Sequence, residues 1–141
     1  KFFYSNQNNL IIDVGTCITY DFINQKNEYI GGGISPGFDL RAKSLSDYTN
    51  KLPRIIVDLK KKELIGRNTI DSIESGVING ALAEITQTIK NYDQVYSNVN
   101  FILTGGDTAF IKSMVSIKKN SIFAHKNLTL VGLNSILNYN V

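Results

Sequence analysis

The sequence has one cysteine, one histidine, two prolines and no long hydrophobic run in 141 residues. Each scarcity removes a class of reading. A single thiol, Cys17, rules out an internal disulfide, and a reducing, cytoplasmic setting is expected. With one Cys and one His, a His/Cys zinc centre or a Cys/His catalytic dyad has little support. Cys17 reads as a buried, inert thiol, and His125 as a surface or hydrogen-bonded residue rather than a base. No apolar stretch approaches the roughly 20 residues of a membrane-spanning helix, and no signal peptide is visible. The charge excess is small. Fifteen basic and 12 acidic residues leave +3, too mild by itself for a nucleic-acid surface. No alternation of basic and aromatic residues marks a single-strand groove. The one basic run, Lys60-Lys61-Lys62, reads as a solvated face.

What is present is an ordinary globular balance, 43% hydrophobic and 19% charged, enough for a core. There are no repeats, no low-complexity linker and no internal boundary, so residues 1–141 are expected to form a single domain. Leu10 to Ile12, Ile18 to Ile23 and a segment beginning at Glu28 predict three short strands, the last two joined by the polar turn 24–27. A helix is expected near Phe38 to Tyr48, closed by Leu52-Pro53. Residues 54–68 read as irregular or partly stranded. From Thr69, apolar residues at 70, 73, 77, 81, 85 and 89 recur every three or four positions and predict a helix of about five turns. Gly76 and Gly80 lie four apart on that helix, an invitation to a close helix contact within or between chains. A buried strand (100–104), a helix from Thr108, a short strand (121–124) and a helix (128–137) complete the order. A three-strand meander followed by alternating helices and strands is an α/β pattern. It matches one half of the RNase H-like, actin-like ATPase architecture.

Three glycine-bearing turns are expected at strand ends: Asp13-Val14-Gly15-Thr16, Gly31-Gly32-Gly33 and Thr104-Gly105-Gly106-Asp107. Ligands bind at such ends in open α/β sheets. Glycine lets backbone N–H groups reach a phosphate. Threonine adds a hydroxyl, and aspartate can hold a cation that balances phosphate charge. Taken singly, each has a plainer reading. Asp13 can close an Asx turn, Gly31 to Gly33 can be a bulge or a loop, and Asp107 can cap a helix. Asp21 can simply pair across the meander, and Thr69 can be the cap of the long helix.

The stretches IIDVGTCITYDFI, YIGGGISPGFDLRAKSL, GRNTIDSIESGVINGALAEI, FILTGGD and LTLVGLNSIL, in that order, resemble the C-terminal half of type III pantothenate kinases. These belong to the superfamily of acetate kinase, sugar kinases and actin. The resemblance implies ATP-dependent phosphorylation of pantothenate to 4'-phosphopantothenate, the first step of coenzyme A biosynthesis, with magnesium accompanying ATP. It implies that Asp13 holds a monovalent cation, potassium or ammonium. It places Gly15, Thr16, Gly105, Gly106 and Asp107 at ATP, and Thr69 and Gly33 at pantothenate. It also implies a homodimer and no nucleic-acid or membrane partner. The family's Asp-x-Gly-Asn-Thr phosphate loop and its Gly-x-Asp-Arg stretch with the proposed catalytic aspartate do not occur here. The chain, which begins with Lys rather than Met, is therefore expected to lack the N-terminal half of a two-domain kinase and to be inactive alone. The alternatives are a non-catalytic regulator of the same fold, or a superfamily kinase acting on another small substrate.

Overall fold

A computed structural model describes residues 4–61, 63–114, 122–125 and 127–139. Lys62 of the basic run and Ser121 of the expected last strand lie outside these. The order is β1 (Asn8–Val14), β2 (Cys17–Ile23), β3 (Tyr29–Pro36), α1 (Phe38–Asp47), α2 (Thr69–Val95), β4 (Val99–Thr104), α3 (Thr108–Met114), β5 (Ile122–Ala124) and α4 (Leu128–Tyr139). The strands form one mixed sheet in the order β3-β2-β1-β4-β5. The meander β1-β2-β3 is antiparallel, and β4 and β5 join it in parallel. The α/β expectation holds.

Alternation builds the core. Leu10, Ile12 and Val14 of β1 and Ile18, Tyr20 and Phe22 of β2 are buried on one face. The residues between them are only half-buried. Against the buried face lies the stripe of α2: Ile73, Val77, Ala81, Ile85 and Ile89. Each isoleucine of the stripe, and Val77, contributes about 1.5–3 kcal/mol when removed from water. The helix spans 27 residues, longer than the apolar spacing predicts, because aromatic rings extend the stripe. Phe22 packs on Tyr92 and Tyr96 at centroid distances of 5.2 and 4.4 Å. The chain then turns at Asn98, with φ of +54°.

Two local expectations change. Residues 31–33 are not a turn at a strand end; they lie inside β3, on the edge of the sheet. A Cβ on Gly32 would sit 1.6 Å from the Tyr20 carbonyl oxygen, so the glycine permits close strand approach rather than a loop. Residues 55–59 form no ladder. Ile55, Val57 and Leu59 nevertheless pack on the core while Ile56 and Asp58 face outward.

Candidate functional site

The parallel pairing of β1 and β4 sets the site. Asp13 stands opposite Thr104 in register, so the turns that follow both strands emerge side by side at their C-terminal ends, where a sheet of this kind binds ligands. Contact between them is tight. Gly105 has φ of +97°, and a Cβ there would lie 2.2 Å from the Val14 carbonyl oxygen and 2.6 Å from Asp13 Oδ1. The first turn is closed by Gly15 N–H donating to Cys17 O at 3.0 Å. Behind it lies Gly37, whose N–H donates to Thr16 O at 2.9 Å. A Cβ on Gly37 would lie 2.0 Å from Gly15 O. Three segments thus meet through glycine backbone: 13–16, 36–38 and 104–107.

Their outer surface is open. Gly15, Thr16 and Gly106 are exposed, while Asp13 and Asp107 are half-buried. Gly37 caps α1 in an extended conformation without a side-chain hydrogen bond, which leaves the first-turn N–H groups of α1 to other acceptors. Phe38 meets Phe110 edge-on, ring centroids 5.9 Å apart, and ties α1 to α3. Thr108 Oγ1 donates to Gly105 O at 2.7 Å and fixes the second turn. Burial, and next the negative charge of Asp39, push the Asp107 carboxyl above its ordinary value. Asp13 Oδ1 and the Val14 carbonyl oxygen both crowd the position that a Cβ on residue 105 would take, so only glycine fits there. Among the described residues no three His, Cys, Asp or Glu side chains cluster to hold a metal.

Thr69 stands elsewhere. It is the first residue of α2, but the cap is Asn68, whose side chain accepts from Asp71 N–H at 2.9 Å. Thr69 is exposed. It lines a cavity of about 470 Å³ with Arg41, Ser44, Leu52 and Gly76. A second cavity of about 650 Å³, with Lys51, Pro53 and Asn68, also borders it. Neither is lined by Asp13, Thr16 or residues 105–107. Gly33 pairs with Tyr20 on the sheet edge and borders neither cavity. Gly76 and Gly80 are exposed, and among the described residues nothing lies near enough to meet a Cβ at either.

A polar knot that no sequence motif marks joins the sheet to α1 and α2. Glu84 of α2 accepts from Tyr20 Oη at 2.8 Å, from Ser35 Oγ and from Arg41 Nη2. Arg41 Nε also donates to Pro36 O at 2.7 Å. Burial opposes the Glu84 charge, but the bonds from Ser35, Arg41 and Tyr20 outweigh it and hold the carboxyl below its usual range. Burial first, then the bond to Glu84, raises the Tyr20 phenol well above its ordinary value. The one sequence signal was Arg41 on the turn of helix after Gly37. Asp21 accepts from Tyr29 Oη at 2.9 Å, the cross-meander pair. Lys61 is committed to Asp71 and Glu74, at 3.2 and 2.6 Å, which removes it from any basic patch. Cys17 is free and half-buried, and His125 Nε2 lies 3.0 Å from Tyr4 Oη.

The sequence profile of the family described as type III pantothenate kinase matches residues 1–91. The chain belongs to the type III pantothenate kinase family. It is 46% identical over 137 residues to a type III pantothenate kinase of Christiangramia forsetii, covering 97% of this chain and 55% of that protein. A Flavobacterium johnsoniae member is 44% identical over 138 residues, covering 98% and 55%. A Cytophaga hutchinsonii member is 45% identical over 134 residues, covering 95% and 55%. The chain therefore spans about half the length of these type III pantothenate kinases. Among solved structures, a Campylobacter jejuni protein assigned to the Baf family of transcriptional activators shares the fold. Its TM-score is 0.62 at 24% identity, over 95% of this chain and 59% of that one.

Proposed function

We propose that this chain is the C-terminal, RNase H-like half of an enzyme that transfers the γ-phosphoryl group of ATP to the hydroxyl of pantothenate. The product is 4'-phosphopantothenate, the first intermediate toward coenzyme A. One observation carries the reading: segments 13–16, 36–38 and 104–107 meet through glycine backbone at the C-terminal ends of the parallel strands β1 and β4. Gly15, Thr16, Gly105 and Gly106 offer close-approach backbone and a hydroxyl to the phosphates. Asp107 borders the same mouth. Asp13, with backbone oxygens such as that of Val14, holds a monovalent cation, potassium or ammonium. Magnesium arrives with ATP and offsets charge on the transferring group.

Thr69 borders a separate cavity, and its hydroxyl suits a small polar substrate; Gly33 is assigned to pantothenate through resemblance alone. The cavities that Thr69 borders are not lined by Asp13, Thr16 or residues 105–107, which fits a substrate pocket completed by other polypeptide, either the N-terminal half or a second copy in a homodimer. The catalytic base belongs to the N-terminal half. The setting is the cytoplasm; no described helix is long and apolar enough to cross a membrane.

The test is ATP-dependent formation of phosphopantothenate by the chain joined to its upstream sequence, with and without potassium, the 141-residue chain serving as control. Potassium-stimulated turnover by the long form alone supports the assignment. Absence of turnover by the long form on pantothenate refutes it and favours a ligand-binding regulator or another substrate.

A further inference from the structure

Segments 13–16 and 36–38 meet through backbone, and glycine supplies much of it. Glycine loses more conformational freedom on ordering than any other residue. Gly37 caps α1 with no side-chain hydrogen bond to fix it. A turn that must place backbone against a phosphate within a fraction of an ångström therefore needs support from behind.

That support comes from α2. Arg41 stands one turn into α1. Its Nε donates to Pro36 O at 2.7 Å, the carbonyl just ahead of Gly37, and its Nη2 donates to the Glu84 carboxylate. Gly37 N–H in turn donates to Thr16 O at 2.9 Å. Ser35 Oγ also donates to Glu84. Ser35 stands opposite Ile18 and Pro36 opposite Cys17 in the β2–β3 register. One carboxylate on the long helix thus reaches the turn at residues 15–16 by two routes, through Arg41 and through the end of β3. The side chains of Arg41 and Glu84 are 23% and 30% exposed, so solvent screens the pair less than a fully exposed one. The guanidinium fork lets one side chain hold two acceptors at once, which a lysine ammonium does less well. Glu84 lines neither cavity beside Thr69.

We propose that Glu84 is a positioning residue for phosphoryl transfer: through Arg41 it locks Pro36 and Gly37 behind residues 15–16 and so sets where that turn meets the nucleotide. The role rests on the assignment of the turn to ATP under the proposed function.

Turnover and amide exchange in the long form test it, on Glu84→Gln, Arg41→Lys, their double variant and Tyr20→Phe, each assayed well below its own melting temperature. Glutamine loses the charge that holds Arg41, and lysine keeps the charge but loses the fork. Each of these two single variants is expected to lower kcat for phosphopantothenate formation about tenfold or more, with KM for ATP nearly unchanged. The double variant should be no slower than the slower single, because both cut one link. Exchange of the Gly15 and Gly37 amides should rise about tenfold in the same variants. Tyr20→Phe removes a different donor to Glu84 and leaves Arg41 bound, so it should lose stability yet keep the wild-type kcat and turn exchange. Wild-type kcat and turn exchange in Glu84→Gln would overturn the proposal. So would an equal loss in Tyr20→Phe, which would make the knot a general scaffold, or a lost kcat with turn exchange unchanged. The exchange arm does not depend on the reaction: a wild-type long form without turnover on pantothenate removes the kinase reading, while faster turn exchange in Glu84→Gln still places the turn under Glu84.

Discussion

Gly105 shows how much of the site depends on a missing side chain. With φ of +97° and the Val14 carbonyl 2.2 Å from where a Cβ would stand, alanine there meets both backbone strain and overlap. Gly105→Ala is expected to cost about 1–3 kcal/mol, read as a lowered urea midpoint. Gly106→Ala meets nothing within 4 Å and should leave the midpoint nearly unchanged. Asp107 makes a pH-dependent prediction. Its carboxyl is raised by burial and by Asp39, so the stability it lends is present in acid and lost as pH rises through the raised value. Asp107→Asn should therefore melt above the wild type near pH 7. The gap should close below pH of about 3.8, where aspartate is protonated in both states. At this scale Asp13, Gly15, Thr16 and Gly105 to Asp107 were legible as a loop set, because aspartate and threonine beside glycine leave a mark in the sequence. Gly37 was not given a place. Its backbone is extended and carries no local sign; what requires glycine there is the Gly15 carbonyl, which lies 22 positions away in the chain.

The elements divide in the same way between what periodicity announces and what only packing decides. The stripe at 70 to 89 predicted α2, yet not its last turns, because Tyr92 and Tyr96 were not counted with the aliphatic positions. The glycines of β3 looked like a turn from composition alone, and became strand because Tyr20 needs their backbone close. Asn68 rather than Thr69 caps α2. Asn68→Ala should cost about 1 kcal/mol of stability, while Thr69→Val should cost little and instead weaken pantothenate binding in the long form. A melting curve paired with a KM measurement separates the two. The Glu84 knot ties β2, β3, α1 and α2 at one carboxylate. Its carboxyl is held low, so its contribution is present at neutral pH and lost as pH falls toward the carboxylate range. Glu84→Gln should destabilise the chain by about 1–3 kcal/mol at pH 7, with the difference shrinking in acid. A urea series at pH 7 and pH 4 reads this directly.

At the scale of the whole molecule, the sheet order places one parallel junction, β1 beside β4, at the centre, and the glycine-bearing turns that follow these two strands gather there. That arrangement followed from the order of strands and helices along the chain. The location of Thr69 did not, because it depends on how α1 lies along α2. Nor did the exposure of α4, none of whose residues is fully buried, since a sequence pattern shows that a helix is apolar and not how deeply it is buried. The chain spans 55% of each of three relatives. Under the proposed function, Asp13 and its neighbouring loops act on the phosphates of ATP. The most direct measurement is the rate of γ-phosphoryl transfer to pantothenate by the long form, wild type against Asp13→Asn, in potassium and in a potassium-free buffer. A loss of about 100-fold on substitution is expected, with the potassium response abolished and the fold retained. Wild-type turnover and an unchanged potassium response in Asp13→Asn would contradict that role.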